Sequence, residues 1–226
     1  AVTDGTMHVL VDLGFAVNWD RPVDCGLSWD GKALSGRRIS SGWAEKQFVF
    51  FSSEFSLAPT AITMLNSGTV TGATETEGRN VACILSFDVK KGEDLTIRTG
   101  ISAVDEAGAR GNLAAEMPGW DLGSVAASAS QAWQMRLEVI RAESVDSSLL
   151  RVFYTALYHT MIAPNLYSDS DGRYRGTDSE IHSDGGFTNY TVFSLWDTYR
   201  AAHPLYTVTV PEMVPDFVNT MLAIRE

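Results

Sequence analysis

Cysteine is nearly absent from this chain, with Cys25 and Cys83 alone among 226 residues. Two thiols cannot build the disulfide framework of a small secreted scaffold, and they lack zinc-ligand spacing. A single bridge and a pair of buried free thiols are both open; the habit of cysteine to bury as a small hydrophobe makes free thiols the expectation. Basic residues are in deficit as well. Lys and Arg number 17 against 28 Asp and Glu, a formal charge of −11. Such a balance repels nucleic acid and anionic membranes and offers no basic stripe for phosphates, so no nucleic-acid partner is expected. Long apolar runs are also missing. No stretch approaches the roughly 18 uncharged apolar residues of a spanning helix, so no membrane span is expected. The opening AVTDGTMHVL has neither the basic nor the apolar region of a leader. A cytoplasmic chain, or a sequence that begins after a leader, are the two readings.

What is present is ordinary for a globular protein: 45% apolar and 20% charged residues. The length suffices for one large domain or two small ones with a real core.

Up to about residue 120 the chain reads as all-β. MHVLVDLGFAV, KQFVFFSSEFSL, TAITML, NVACILSFDV and EDLTIRTGIS are rich in Val, Phe, Ile and Thr and are separated by Gly, Asp and Asn. Leu85, Phe87 and Val89 alternate with Ser86, Asp88 and Lys90, the period of a strand with one buried face. Turn signals fall at Asp30-Gly31, Asn66-Ser67-Gly68, Glu77-Gly78 and Lys91-Gly92. Strands at this spacing suggest an antiparallel sandwich.

From Asp121 the period becomes helical. Ala129, Trp133, Leu137 and Ile140 share one face. Asp146 or Ser147 can cap a second helix carrying Leu149, Phe153, Ala156 and Leu157, ended by Pro164. The pattern predicts a third helix over roughly Tyr190 to His203, stopping at Pro204. A fourth repeats Met213, Val214, Phe217, Val218, Met221 and Leu222 and runs to the last residue. Helices with such stripes need a partner surface.

Several polar clusters invite chemistry. In SDSDGRYRGTDSE (168–180), Asp169, Asp171 and Glu180 sit at EF-hand offsets, but Arg173 and Tyr174 replace a ligand and the turn glycine. An acidic turn, or a substrate-lining loop using Tyr174 and Arg175, fits at least as well. The run FSLWDTYRAAHPL is the densest constellation. On a helix Trp196, Arg200 and His203 form a stripe, with Asp197 within reach of Arg200 at i+3. The plain reading is a core Trp beside a helical ion pair. The functional reading is a sugar site, where a carboxylate accepts from vicinal hydroxyls, Arg fixes the carboxylate and Trp stacks on a pyranose. There is no G-x-S-x-G, H-E-x-x-H, P-loop or G-x-G-x-x-G. His8, His159, His182 and His203 have no metal spacing, and mid-helix His159 reads as a packing histidine. The sequon Asn189-Tyr190-Thr191 would matter only in a secreted eukaryotic chain.

Four blocks carry a family resemblance: SGWAEKQFVFFSSEFS (41–56), GISAVDEAGARGNLAAEMPGWDL (100–122), FYTALYHTMIAPNLYSDSDGRYRGTD (153–178) and FTNYTVFSLWDTYRAAHPLYTV (187–208). With them the sequence resembles the calcium-dependent, exo-acting α-mannosidases of glycoside hydrolase family 92. The resemblance implies an α+β multi-domain fold. Residues 1–120 would form an incomplete antiparallel β-sandwich, 121–145 a helical linker, and 146–226 the first helices of an (α/α)6 catalytic barrel. It implies hydrolysis of terminal α-linked mannose with inversion, α-1,2 being the linkage expected, and mannose-containing oligosaccharides as partners. Inversion requires an acid and a base carboxyl roughly 6.5–9.5 Å apart. By the family's WD motif, Trp196 and Asp197 would line the mannose-binding subsite, and Arg200, from its spacing, would orient Asp197. The acid, base and Ca2+ ligands are expected downstream of Glu226, so no catalytic or metal residue is assigned here. Asp105, Glu106, Asp171 and Glu180 are not promoted to those roles. The chain then reads as an internal fragment, inactive alone and prone to self-associate through apolar faces such as Phe217, Val218 and Leu222. The parent would be bacterial and periplasmic, extracellular or surface-attached.

Two other classes stay in view. A noncatalytic carbohydrate-binding sandwich would present Trp19, Trp29 or Trp43. A lyase or phosphorylase with a similar two-part fold would need a Tyr/His pair or a phosphate cluster, and neither is evident.

Overall fold

The computed structural model describes residues 1–183 and 185–225, which fall into two compact units. The first holds Ala1–Trp120 together with Asp169–Asp171; the second holds the rest.

The first unit is built from two antiparallel sheets. Strands β1 (Gly5–Asp12), β8 (Val81–Val89), β5 (Ala61–Asn66) and β6 (Thr69–Val70) form one sheet in that order. The other runs β7 (Glu75–Gly78), β2 (Arg21–Trp29), β3 (Ala33–Ser41), β4 (Gln47–Phe55) and β9 (Ile97–Ser102). Strand β8 shows why they stack. Val81, Cys83, Leu85, Phe87 and Val89 all point to one buried face, and they cluster with Met64 of the neighbouring β5 and with Cys25, Leu27, Leu34 and Phe51 from the opposing sheet. Both cysteines are free thiols inside this core.

The sequence pattern missed β2 and β3, a hairpin whose turn is the Asp30-Gly31 signal. These strands carry Asp, Arg, Ser and Gly, and their outer face is polar although part of it is covered. Ser35 and Ser52 are opposed across β3 and β4 and share a buried hydrogen bond of 3.1 Å. Glu77-Gly78 is no turn; both residues belong to β7.

The all-β reading of residues 1–120 needs a second correction. Helix α1 (Glu106–Glu116) lies in it, capped by Asp105, whose side chain accepts from the Gly108 N–H. Two glycines inside the helix, Gly108 and Gly111, depress its propensity and hid it. Tertiary contact supplies what propensity lacks: α1 packs on β9 and β4 and buries Ala109 and Leu113. A Cβ at Gly108 would stand 2.1 Å from Asp169 Oδ2, so the close approach of this loop requires glycine.

The second unit is helical. Helix α2 (Leu122–Leu137) is capped by Asp121 and α3 (Ser147–Thr160) by Asp146, whose carboxylate takes the Ser148 N–H at 2.8 Å. Trp133 of α2 meets Tyr158 of α3 with ring centroids 4.6 Å apart. Two short antiparallel pairings follow, 165–166 with 190–191 and 174–175 with 181–182. The third expected helix is broken. Tyr190 and Thr191 pair as a strand, then come α4 (Leu195–Thr198) and α5 (Ala202–Thr209). Pro204 sits in the first turn of α5, where its missing N–H costs nothing, and does not end a helix. Helix α6 (Val214–Arg225) buries Phe217 against Tyr206 and Val210.

Candidate substrate-binding site

The WD segment rides on an aromatic floor. Tyr206, buried on α5, donates its hydroxyl hydrogen toward Thr160 O at 2.7 Å and Ala163 O at 3.0 Å. Burial holds that phenol above its ordinary pKa. Phe217 packs edge-on against Tyr206, Tyr190 and Phe193, and Phe193 stacks on His203 at 6.4 Å. His203 Nε2 is buried and has no hydrogen-bond partner among the described residues.

On this floor the structure leaves all three sequence-derived site residues exposed. Trp196 is 86% exposed, which removes the core-Trp reading. The backbone of α4 is short but closed: Asp197 N and Thr198 N both donate to Ser194 O, and Tyr199 N donates to Leu195 O. Asp197 takes the Ser194 hydroxyl on Oδ2 at 2.5 Å. Among the described residues no protein group engages its Oδ1.

Arg200 does not pair with Asp197 among the described residues. Its Nε donates to the Tyr199 hydroxyl at 2.6 Å, and the guanidinium lies 5.2 Å from the centre of that ring. The i+3 ion pair presumed a continuous helix, and the helical hydrogen-bonding ends at Tyr199, with Ala201 out of helical geometry. Sequence reasoning missed Ser194 and Tyr199 as the residues holding the carboxylate and the guanidinium. Their nearness in sequence was the only available signal.

The calcium-like segment is spent on structure. Asp169 is buried and accepts from Ser102 Oγ at 2.6 Å and Asn112 Nδ2 at 2.8 Å. Asp178 lies in a hairpin turn. The Glu180 N–H holds its carboxyl below the usual range, with help from His182, whose Nε2 is 2.9 Å from Oδ2. His182 in turn stacks on Tyr174. No group of three His, Cys, Asp or Glu side chains able to hold a metal ion occurs among the described residues, so Ca2+ finds no fitting ligand set there. A separate apolar cavity of about 290 Å³ is lined by Trp133, Arg136, Tyr206, Met213 and Phe217 among others; neither Trp196 nor Asp197 borders it.

An antiparallel sandwich is thus followed by helices that present an exposed Trp–Asp pair. Residues 2–102 match the glycosyl hydrolase family 92 N-terminal domain, and residues 108–226 match the glycosyl hydrolase family 92 catalytic domain. The chain belongs to this family. Among solved structures it is similar to a family GH92 alpha-mannosidase from Bacteroides thetaiotaomicron, at 32% identity and a TM-score of 0.92 over 97% of this chain. That enzyme is also known in complex with mannoimidazole. A GH92 inverting mannosidase of the same organism is 27% identical, with a TM-score of 0.80 over 96% of this chain. The chain spans 30% of the length of each of these enzymes. A curated relative, an uncharacterized secreted glycosidase of Arthroderma benhamiae, is 29% identical over 110 residues, 47% of this chain and 13% of that protein. No helix among the described residues is long and apolar enough to cross a membrane.

Proposed function

We propose that this chain serves an exo-α-mannosidase, inverting and calcium-dependent, that removes terminal α-1,2-linked mannose from glycans outside the bacterial cytoplasm. In this reading Trp196, Asp197 and Arg200 form the mannose-binding subsite. The observation that carries it is the exposure of Trp196 beside a carboxylate whose Oδ1 is open to hydroxyls. An indole face takes the apolar side of a pyranose, and Asp197 accepts from vicinal hydroxyls. Arg200, with Nε anchored on Tyr199, keeps its terminal N–H groups for the sugar and is a donor in its own right.

The acid, base and calcium ligands lie outside these 226 residues in this reading. Three carboxylates of the chain are engaged elsewhere: Asp105 caps α1, Asp169 is buried on two donors, and the Glu180 N–H holds the Asp178 carboxyl below its usual range. An acid for glycoside cleavage needs the opposite, a carboxyl held protonated. The chain taken alone self-associates in this reading through Val218 and Leu222, which stand exposed on α6, and not through Phe217, which is buried.

The test is α-1,2-mannobiose with the 226-residue chain, with calcium and again with chelator. Binding without mannose release is expected. Trp196→Ala and Asp197→Asn each weaken binding about ten-fold. Calcium-dependent release would place the acid and base within these residues and overturn the assignment; unchanged affinity in both variants would remove the subsite. Light scattering that finds only monomer would refute the self-association.

A further inference from the structure

We propose that Trp19 and Trp43 form a second, separate glycan-stacking surface on the sandwich unit, one that takes the apolar faces of neutral pyranoses in a polysaccharide chain.

Apart from Trp196, which belongs to the candidate site, the fold uses the other tryptophans. Trp29 packs against Phe55 beside the sandwich core, Trp120 lies under the Arg98 guanidinium at 4.5 Å, and Trp133 faces Tyr158. Trp19 and Trp43 are 62% and 91% exposed and meet each other, centroids 6.3 Å apart and planes tilted by 56°. Two large apolar rings held in water give up burial that a looser loop would recover by folding inward.

The loops are not loose. Arg38 donates Nε to Leu13 O at 3.0 Å and Nη1 to Asp20 Oδ2 at 2.6 Å, fastening both ends of the segment that carries Trp19. Asn18 Oδ1 accepts the Asp20 N–H at 2.9 Å, closing a turn around Trp19 itself. On the other side Gly42 N donates to Ala44 O at 2.9 Å across Trp43. A Cβ at Gly42 would stand 2.9 Å from Asp20 Oδ1 and 3.2 Å from Asp20 Cα, so the two loops approach too closely there for a side chain at 42. The covered Asp20–Arg38 pair therefore positions the rings and does not itself meet the sugar. A preorganised open pair of aromatic planes loses little entropy on binding.

A neutral sugar suits this surface better than a polyanion, since the chain carries −11 and repels anions. The inference rests on the reading that the protein works on glycans, because a polysaccharide held there would stay with the molecule between cleavage events. Phe15 and Val17 are exposed on the same loop and extend the apolar edge.

The experiment follows the six tryptophan indole N–H signals of the full chain by NMR, assigned with single Trp→Phe variants, during titration with soluble α-mannan, xylan and mixed-linkage β-glucan. Trp19 and Trp43 signals should shift with at least one polysaccharide while Trp29 stays still, and Trp43→Ala should weaken that binding about ten-fold. Shifts at Trp19 and Trp43 with xylan or β-glucan, and silence of Trp196 throughout, would uphold this surface and remove the mannosidase reading. A response of Trp196 alone, or of no tryptophan, would overturn the surface. So would signals of Trp19 and Trp43 that change with protein concentration and not with sugar, which would assign the patch to a second copy of the chain.

Discussion

The hydroxyl of Ser102, at the end of β9, donates to the buried carboxylate of Asp169 at 2.6 Å, across 67 positions of sequence. Asn112 on α1 completes the arrangement, giving Nδ2 to Asp169 Oδ1 and accepting the Ser170 N–H on its own Oδ1 at 2.7 Å. By these bonds residues 169–171 are part of the sandwich unit.

Asp169→Ala leaves Ser102 and Asn112 without their acceptor and is expected to cost about 3 kcal/mol. Urea unfolding of the chain measures it. A loss below about 0.5 kcal/mol would mean that the 169–171 segment contributes nothing to the sandwich.

Glycine at two positions of one helix should give opposite signs. At Gly108 a new Cβ meets Asp169 Oδ2 at 2.1 Å and Ser102 Oγ at 2.8 Å, so Gly108→Ala destabilises by about 2 kcal/mol. At Gly111 the nearest atom is Ser170 Oγ at 3.8 Å, so Gly111→Ala stabilises by about 1 kcal/mol through helix propensity. Equal effects in thermal unfolding would contradict the packing of α1.

Glu54 supplies a pH dependence. The Arg98 guanidinium, 2.6 Å away, holds its carboxyl below the ordinary value of 4.5, with Lys32 adding to the effect. A lowered folded-state pKa contributes stability that is fully present above 4.5 and is lost as the pH falls through the folded value. Denaturant midpoints of the native chain and of Glu54→Gln should therefore differ near neutral pH and converge on acidification below about pH 4. A constant difference would show that Glu54 is unshifted.

Both thiols should be silent in the folded chain. Burial pushes Cys83 up to about 11 and raises Cys25 as well, so neither forms thiolate readily near neutral pH. Ellman's reagent at about pH 8 should find no reactive thiol in the native state and two after unfolding. Fewer than two in unfolded, unreduced protein would mean a Cys25–Cys83 bridge.

Much of the fold was legible because burial writes a period into sequence. Leu85, Phe87 and Val89 announced β8, Asp121 and Asp146 announced two helix starts, and the paired stripe around Phe217 announced α6. Elements whose stability comes from tertiary contact left no such trace. The β2–β3 hairpin is polar on its outer face, and α1 carries two glycines that only packing on β4 and β9 can offset.

The candidate site divides in the same way. Residue types determined that Trp196, Asp197 and Arg200 could bind a sugar, because an indole, a carboxylate and a guanidinium bring that chemistry wherever they stand. Tertiary structure decided which of their groups are open. It broke the expected helix between Thr198 and Ala202, gave Asp197 to Ser194 and Arg200 to Tyr199, and spent Asp169 on Ser102 and Asn112. Hydrogen bonds depend on angles and distances that a periodic pattern does not encode, so partners can be assigned only once the backbone has its course.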